Sequence, residues 1–198
     1  MEANMRAWLV AMTMAGLAVP AWAADAGDPQ KHVEQLYQRL NGISQKASDL
    51  PTLHKQIGAE LDGVVDWVEM ARLTLGSRWN EESEPHRKQF TDLLHRMVSN
   101  TYVKRFKPGS PAQVSWRGVR KPAADKVIVA TTVQVGKTAA DVEYALAVKD
   151  GRWQVHDIVV DEASQVQTYK QSFKKVLDRD GWDGLMRRMQ KAADKKVE

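Results

Sequence analysis

The residues able to do chemistry in this chain are few and scattered. Its five histidines are His32, His54, His86, His95 and His156, and it has no cysteine. Without thiols there is neither a thiolate nucleophile nor a thiolate metal site. No two histidines stand at the i, i+4 spacing that places a pair on one helix face for zinc, and no carboxylate cluster accompanies them. His156 and Asp157 are adjacent on an expected strand, where successive side chains alternate between faces, so they are not expected to act together. Ser110 sits in a Pro-Gly loop without a G-x-S-x-G elbow, and the glycines form neither a P-loop nor a dinucleotide fingerprint. Acid–base work by Asp141, Glu143 or Asp157, with Tyr144 as a proton donor, would need a carboxylate or tyrosine projecting into an apolar pocket with a perturbed pKa. No catalytic constellation, metal set or cofactor motif therefore stands out in the sequence.

Apolar residues dominate what remains. Trp67, Trp79, Trp116, Trp153 and Trp182 are spread through the chain and are read as core and boundary residues. Arg187, Arg188, Lys191, Lys195 and Lys196 gather near the end, where basic residues suit the C-terminus of a last helix.

The elements that must position these residues fall into three blocks. From Asp28 to about Lys107 the periodicity is helical. Val33, Leu36, Tyr37 and Leu40 line a first helix expected to end near Gly42, and Leu53, Ile57 and Leu61 line a second begun around Pro51. Asp66 and Glu69 resemble a capping box opening a short third helix that stops at Gly76. Ser83 is an expected N-cap for a long helix carrying Phe90, Leu93, Leu94, Met97, Val98, Thr101 and Tyr102. The Pro-rich stretch Lys107 to Pro111 then changes the architecture. Strands are expected over 112–119, 127–135, 142–148 and 153–160, with turns at Gly136-Lys137 and Asp150-Gly151. Val166, Tyr169, Phe173, Val176 and Leu177 return to helix, with a break at Gly181 before Leu185, Met186 and Met189. Helices, an antiparallel sheet of four to five strands, then helices again make an α+β domain.

The chain begins differently. An apolar run from Ala7 to Val19 follows Arg6 and leads to Ala21-Trp22-Ala23, which reads as a secretory signal over residues 1–23 with cleavage after Ala23. A single domain is expected over 24–190, followed by a charged, fraying tail over 191–198. With no cysteine, a secreted chain must be held by packing alone. The net charge of +4 favours weak attraction to anionic surfaces but is far from a nucleic-acid footprint.

Two segments exceed generic patterning. Met70, Ala71, Arg72, Leu75, Gly76 and Trp79 form an M-A-R-x-x-L-G-x-x-W pattern. Asp150, Gly151, Trp153, Val155, Asp157, Val159, Val160, Ser164, Val166, Tyr169 and Phe173 follow a D-G-x-W-x-V-x-D signature with its helical continuation, and Asp180-Gly181-Trp182-Asp183-Gly184-Leu185 resembles an E-G-x-D-G-L ending. In this order and spacing, from about Asp66 to Leu185, they resemble the MlaC, or toluene-tolerance, family. Glu162-Ala163 departs from the family's glutamate-glycine pair, as does the Pro-rich loop at Lys107.

The resemblance implies a periplasmic, monomeric, non-enzymatic carrier that buries phospholipid acyl tails in an apolar cavity between a curved sheet and helices. It would dock transiently on an inner-membrane ABC transporter bearing an MCE-domain subunit and on an outer-membrane lipoprotein complex. The expected lining is Val129, Val133, Tyr144, Leu146, Val148 and Val155 on the sheet, Leu75, Leu94, Met97 and Val98 below, and Val166, Tyr169 and Phe173 above. A hopanoid-associated branch of the same family, a ketosteroid-isomerase-like enzyme and a ligand-free adaptor are the competing readings. The energetics suit a carrier: a methylene in water costs about 0.8 kcal/mol, hence on the order of 10 kcal/mol for a long acyl chain, so free diffusion of a lipid is negligible.

Overall fold

The computed structural model describes residues 26–123 and 125–195, so the expected signal over 1–23 lies outside the described residues. Helix starts follow local capping chemistry. Helices α1 (Pro29–Lys46), α2 (Leu50–Val64) and α3 (Trp67–Leu75) open on Asp28, Asp49 and Asp66, whose carboxylates accept from the backbone N–H groups of Gln30, Thr52 and Glu69. The single turn α4 (Arg78–Glu81) leads to α5 (Glu84–Val103), where Ser83 accepts from the His86 N–H. Each cap satisfies a donor that the first turn leaves unpaired. Helix α1 does not stop at Gly42. Its next turn carries Ser44, fully buried, which donates to the Lys107 carbonyl at 2.7 Å, and this tertiary contact outweighs the glycine.

Five antiparallel strands follow in simple order: β1 (Gln113–Ala123), β2 (Lys126–Val135), β3 (Thr138–Lys149), β4 (Arg152–Val160) and the two-residue β5 (Ala163–Ser164). The β3–β4 turn has both Asp150 and Gly151 at positive φ (50° and 74°), as the D-G pair requires. Register shifts after Trp116 and Arg120 in β1, and at His156 in β4, put extra residues into one strand and bend the sheet. Strand β1 has one neighbour and forms an outer edge. The other edge is closed locally where the Asp66 N–H donates to the Val155 carbonyl at 2.9 Å.

Helix α6 (Gln165–Ala193) completes the fold. It bends at Gly181 (φ 66°, ψ −171°), where the sequence places a break, and it continues through Ala193 beyond Lys191. Ala193 is buried, its carbonyl accepts from Asn100 at 3.0 Å, and Arg96 pairs with Asp194, so contacts with α5 hold the end of the helix. Helices α5 and α6 meet through Phe90, which packs edge-on to Phe173 at 5.7 Å. One hydrophobic core joins the helical layer to one face of the sheet.

Candidate functional site

Alternation along β2 and β3 turns Val127, Val129, Thr131 and Val133, and Val142, Tyr144, Leu146 and Val148, toward the helices. Antiparallel register lines these up in rows across the sheet. Val127, Leu146 and Val155 form one row, and Val129, Tyr144 and Ile158 the next; all six are buried. Further along, Trp116, Thr131, Val142 and Val160 make a third row, and Val114, Val133 and Ala140 a fourth. Trp116, Val160, Val114, Val133 and Ala140 are only half-buried although they pack on the core. The inner face is thus sealed at its middle and opens toward the ends of β2 and β4. At the opposite end Val148 pairs with Trp153, whose indole donates to the Gly27 carbonyl at 2.8 Å and closes that side.

The helices cover these rows with the residues expected from sequence. Leu75, Leu94, Val98, Val166 and Phe173 are buried, and Met97 and Tyr169 are half-buried against the same core. Every residue of the expected lining belongs to, or packs against, the one hydrophobic core that joins sheet and helices. Two large surface clefts lie elsewhere. One, of about 390 Å³, lies between α2 and α5 beside His54, Asp62 and His95. The other, of about 870 Å³, lies between α1 and α2 beside Gln35, Arg39 and Glu60.

Sequence reasoning missed the polar feature of this interior. The hydroxyls of Tyr37, on α1, and Tyr144, on β3, hydrogen-bond to each other within the core, with their rings edge-to-face at 6.2 Å. Burial pushes the Tyr37 phenol up to about 12 and that of Tyr144 well above its ordinary value. Burial also raises Tyr102, at the end of α5, whose hydroxyl is buried without a partner among the described residues. The exposed Arg105 guanidinium lies over the Tyr102 ring at 5.4 Å. Tyr37 and Tyr102 were visible as members of apolar helical stripes. The Tyr37–Tyr144 bond spans 107 positions and has no local signal.

The acid–base candidates are not in this space. Asp141 and Glu143 point to the outer face, where Asp141 pairs with Arg117 and accepts from Thr132 at 2.8 Å, and Glu143 pairs with Arg120 at 2.7 Å. The Thr132 bond and then Arg117 hold the Asp141 carboxyl below its ordinary range. The bulge at His156 corrects the alternation argument. Val155 pairs with Leu146 and Asp157 with Ala145, so His156 is the extra residue and Asp157 shifts to the outward register. Asp157 is committed structurally. Its carboxylate accepts from the Ile158 N–H (2.8 Å), the Ser164 hydroxyl (2.6 Å) and the Val166 N–H (3.0 Å), tying the start of α6 to β4. Tyr144 faces inward, but no carboxylate stands beside its hydroxyl. Among the described residues no group of three or more His, Asp or Glu could hold a metal ion, and no helix is long and apolar enough to cross a membrane.

Residues 30–191, from the first turn of α1 to the last of α6, match the family described as MlaC protein. The chain belongs to the MlaC family. That membership makes it a periplasmic, non-catalytic phospholipid-binding carrier and removes the isomerase-like alternative. Among solved structures it is similar to a phospholipid-binding protein from Ralstonia solanacearum, determined in complex with a phospholipid. The TM-score is 0.75 at 19% identity, covering 84% of this chain and 97% of that one. At that identity the likeness is one of fold. No curated protein matches.

Proposed function

We propose that this MlaC-family chain shuttles phospholipid between the inner and outer membranes, with the acyl tails between the curved sheet and the helices. The observation that carries this reading is the burial gradient along the inner face: apolar rows sealed in the middle become half-buried at Val114, Trp116, Val133, Ala140 and Val160. Tails enter there. They advance over Val129, Tyr144, Leu146 and Val155 by parting these from Leu75, Leu94, Met97, Val98, Val166, Tyr169 and Phe173. Each tail methylene leaves one apolar environment for another, so transfer from bilayer to carrier is nearly neutral and loading is reversible. Met97 suits a wall that repacks around tails of different length. The bound protein of the Ralstonia complex is a precedent for a phospholipid on this fold. Direction would come from the docking partners, an inner-membrane MCE-domain ABC transporter and an outer-membrane lipoprotein complex.

Native mass spectrometry of the purified protein, followed by organic extraction, tests the proposal. About one phospholipid per chain is expected. A monodisperse protein that stays empty after incubation with phospholipid vesicles would overturn it.

A further inference from the structure

The sequence contains four tyrosines, and all four belong to this interior: Tyr37 on α1, Tyr102 on α5, Tyr144 on β3 and Tyr169 on α6. Their hydrogen bonds leave protons over. Tyr37 and Tyr144 bring two hydroxyl protons to a single mutual bond, so one of the two is uncommitted. Tyr102 donates to nothing among the described residues although its oxygen is buried. Thr101 spends its one proton on the Met97 carbonyl at 2.9 Å, so in its bond with Tyr169 the phenol is the donor, and Thr131 donates to the Val142 carbonyl at 2.9 Å; neither adds a spare donor. The phenols lie within electrostatic reach of one another: Tyr102 feels the exposed Arg105 most, then Tyr169, the Asp157 carboxylate (already bonded to Ile158, Ser164 and Val166) and Tyr37, and Tyr144 feels Tyr37 and Tyr102. Burial keeps them protonated, which keeps them donors. A buried polar group left unpaired in a native interior calls for an explanation.

The chemistry of the missing acceptor follows from what surrounds the donors. They are neutral, stand in an apolar interior and have no buried cation beside them. A phosphate or a free carboxylate would be drawn instead to water and to the exposed Arg105 guanidinium at the Tyr102 ring. Alkyl tails accept nothing. An ester carbonyl is neutral, accepts only, and in a diacyl lipid occurs twice, at the junction of tails and head.

We propose that Tyr102 and the Tyr37–Tyr144 pair donate their two spare protons to the two ester carbonyls of a diacyl glycerolipid, making the carrier selective for ester over ether linkage. This rests on the carrier reading above. It sets the depth of the lipid: tails pass beyond the tyrosines, and the phosphate stays on the Arg105 side.

The test is a competition. The delipidated full protein is incubated with vesicles holding equal amounts of a diacyl phosphatidylethanolamine and its dialkyl-ether analogue of the same chain length, then re-isolated, and its lipid is extracted and quantified. An ester-to-ether ratio of about 5 to 10 is expected, since neutral hydrogen bonds are individually modest. In Tyr102→Phe, which removes only an unpartnered hydroxyl, the ratio should fall by at least about twofold. A wild-type ratio near one with both lipids bound, or an unchanged ratio in Tyr102→Phe, overturns the tyrosine assignment and leaves the carrier reading standing. Failure to take up either lipid overturns both. The wild-type ratio decides even if the variant does not fold.

Discussion

Removing one hydroxyl from the Tyr37–Tyr144 pair should harm the protein more than removing both. In Tyr144→Phe the ring remains, but the Tyr37 hydroxyl, on a residue only 9% exposed, loses its partner without gaining water. The cost is the desolvation of an unsatisfied buried group, about 2 kcal/mol, and Tyr37→Phe should cost about the same by the converse route. For a domain of this size that lowers Tm by roughly 4–8 °C. The double variant leaves two apolar rings edge-to-face and no orphaned hydroxyl, so its destabilisation should be at most about 1 kcal/mol. The cycle then shows a coupling of about 3 kcal/mol between residues in direct contact. Urea titration of the delipidated proteins, followed by tryptophan fluorescence, gives all four stabilities. If the double variant is as unstable as the two singles added together, the hydroxyls do not satisfy each other, and the account of the polar interior fails.

Other perturbations separate the remaining contacts. Asp157→Ala strands the Val166 N–H and the Ser164 hydroxyl at the start of α6 and should cost about 2–3 kcal/mol in urea denaturation. Gly181→Ala forces a side chain into a conformation nearly exclusive to glycine, though space for a Cβ is open, and should cost about 1–3 kcal/mol; Gly58→Ala, inside α2 and equally open, should instead stabilise by about 0.5 kcal/mol. Burial lowers the folded-state pKa of His156 below its ordinary 6.5, so between those two values the unfolded chain binds more protons and stability rises with pH. The urea midpoint should therefore fall from pH 7.5 to 5.5, and less steeply in His156→Gln. Val133→Asp sets a charge at the open end of the inner face without entering the sealed rows; it should keep the circular-dichroism spectrum and lower phospholipid occupancy on the order of tenfold.

The architecture was largely legible because its signals are local. Aspartate and serine caps, the helical stripes, the D-G turn and the alternation in β2 and β3 each act over a few residues, and the structure realises them. Alternation is consistent with the inward orientation of Val129, Tyr144, Leu146 and Val155. Reasoning failed where a non-local contact decided the outcome. Gly42 does not end α1 because Ser44 reaches a carbonyl 63 positions away. The opposite-face argument for His156 and Asp157 does not hold because a bulged residue shifts the alternation of the strand beyond it, and a bulge has no reliable sequence mark. The rows that open to the surface depend on how helices and sheet diverge, which periodicity does not encode.

The outer edge strand β1 bears on how such a molecule survives its task. A sheet edge offers unpaired backbone groups to any passing strand, so a straight, bare edge invites aggregation. Strand β1 is irregular at two places, carries Arg117, Arg120 and Lys121, and has Pro122, which lacks an N–H to offer. A straight neighbour cannot register against a doubly bent strand, and Pro122 removes one of the N–H donors that an added strand would need. The edge is therefore a poor template for strand addition, and the sheet ends with the molecule instead of running on into a neighbour.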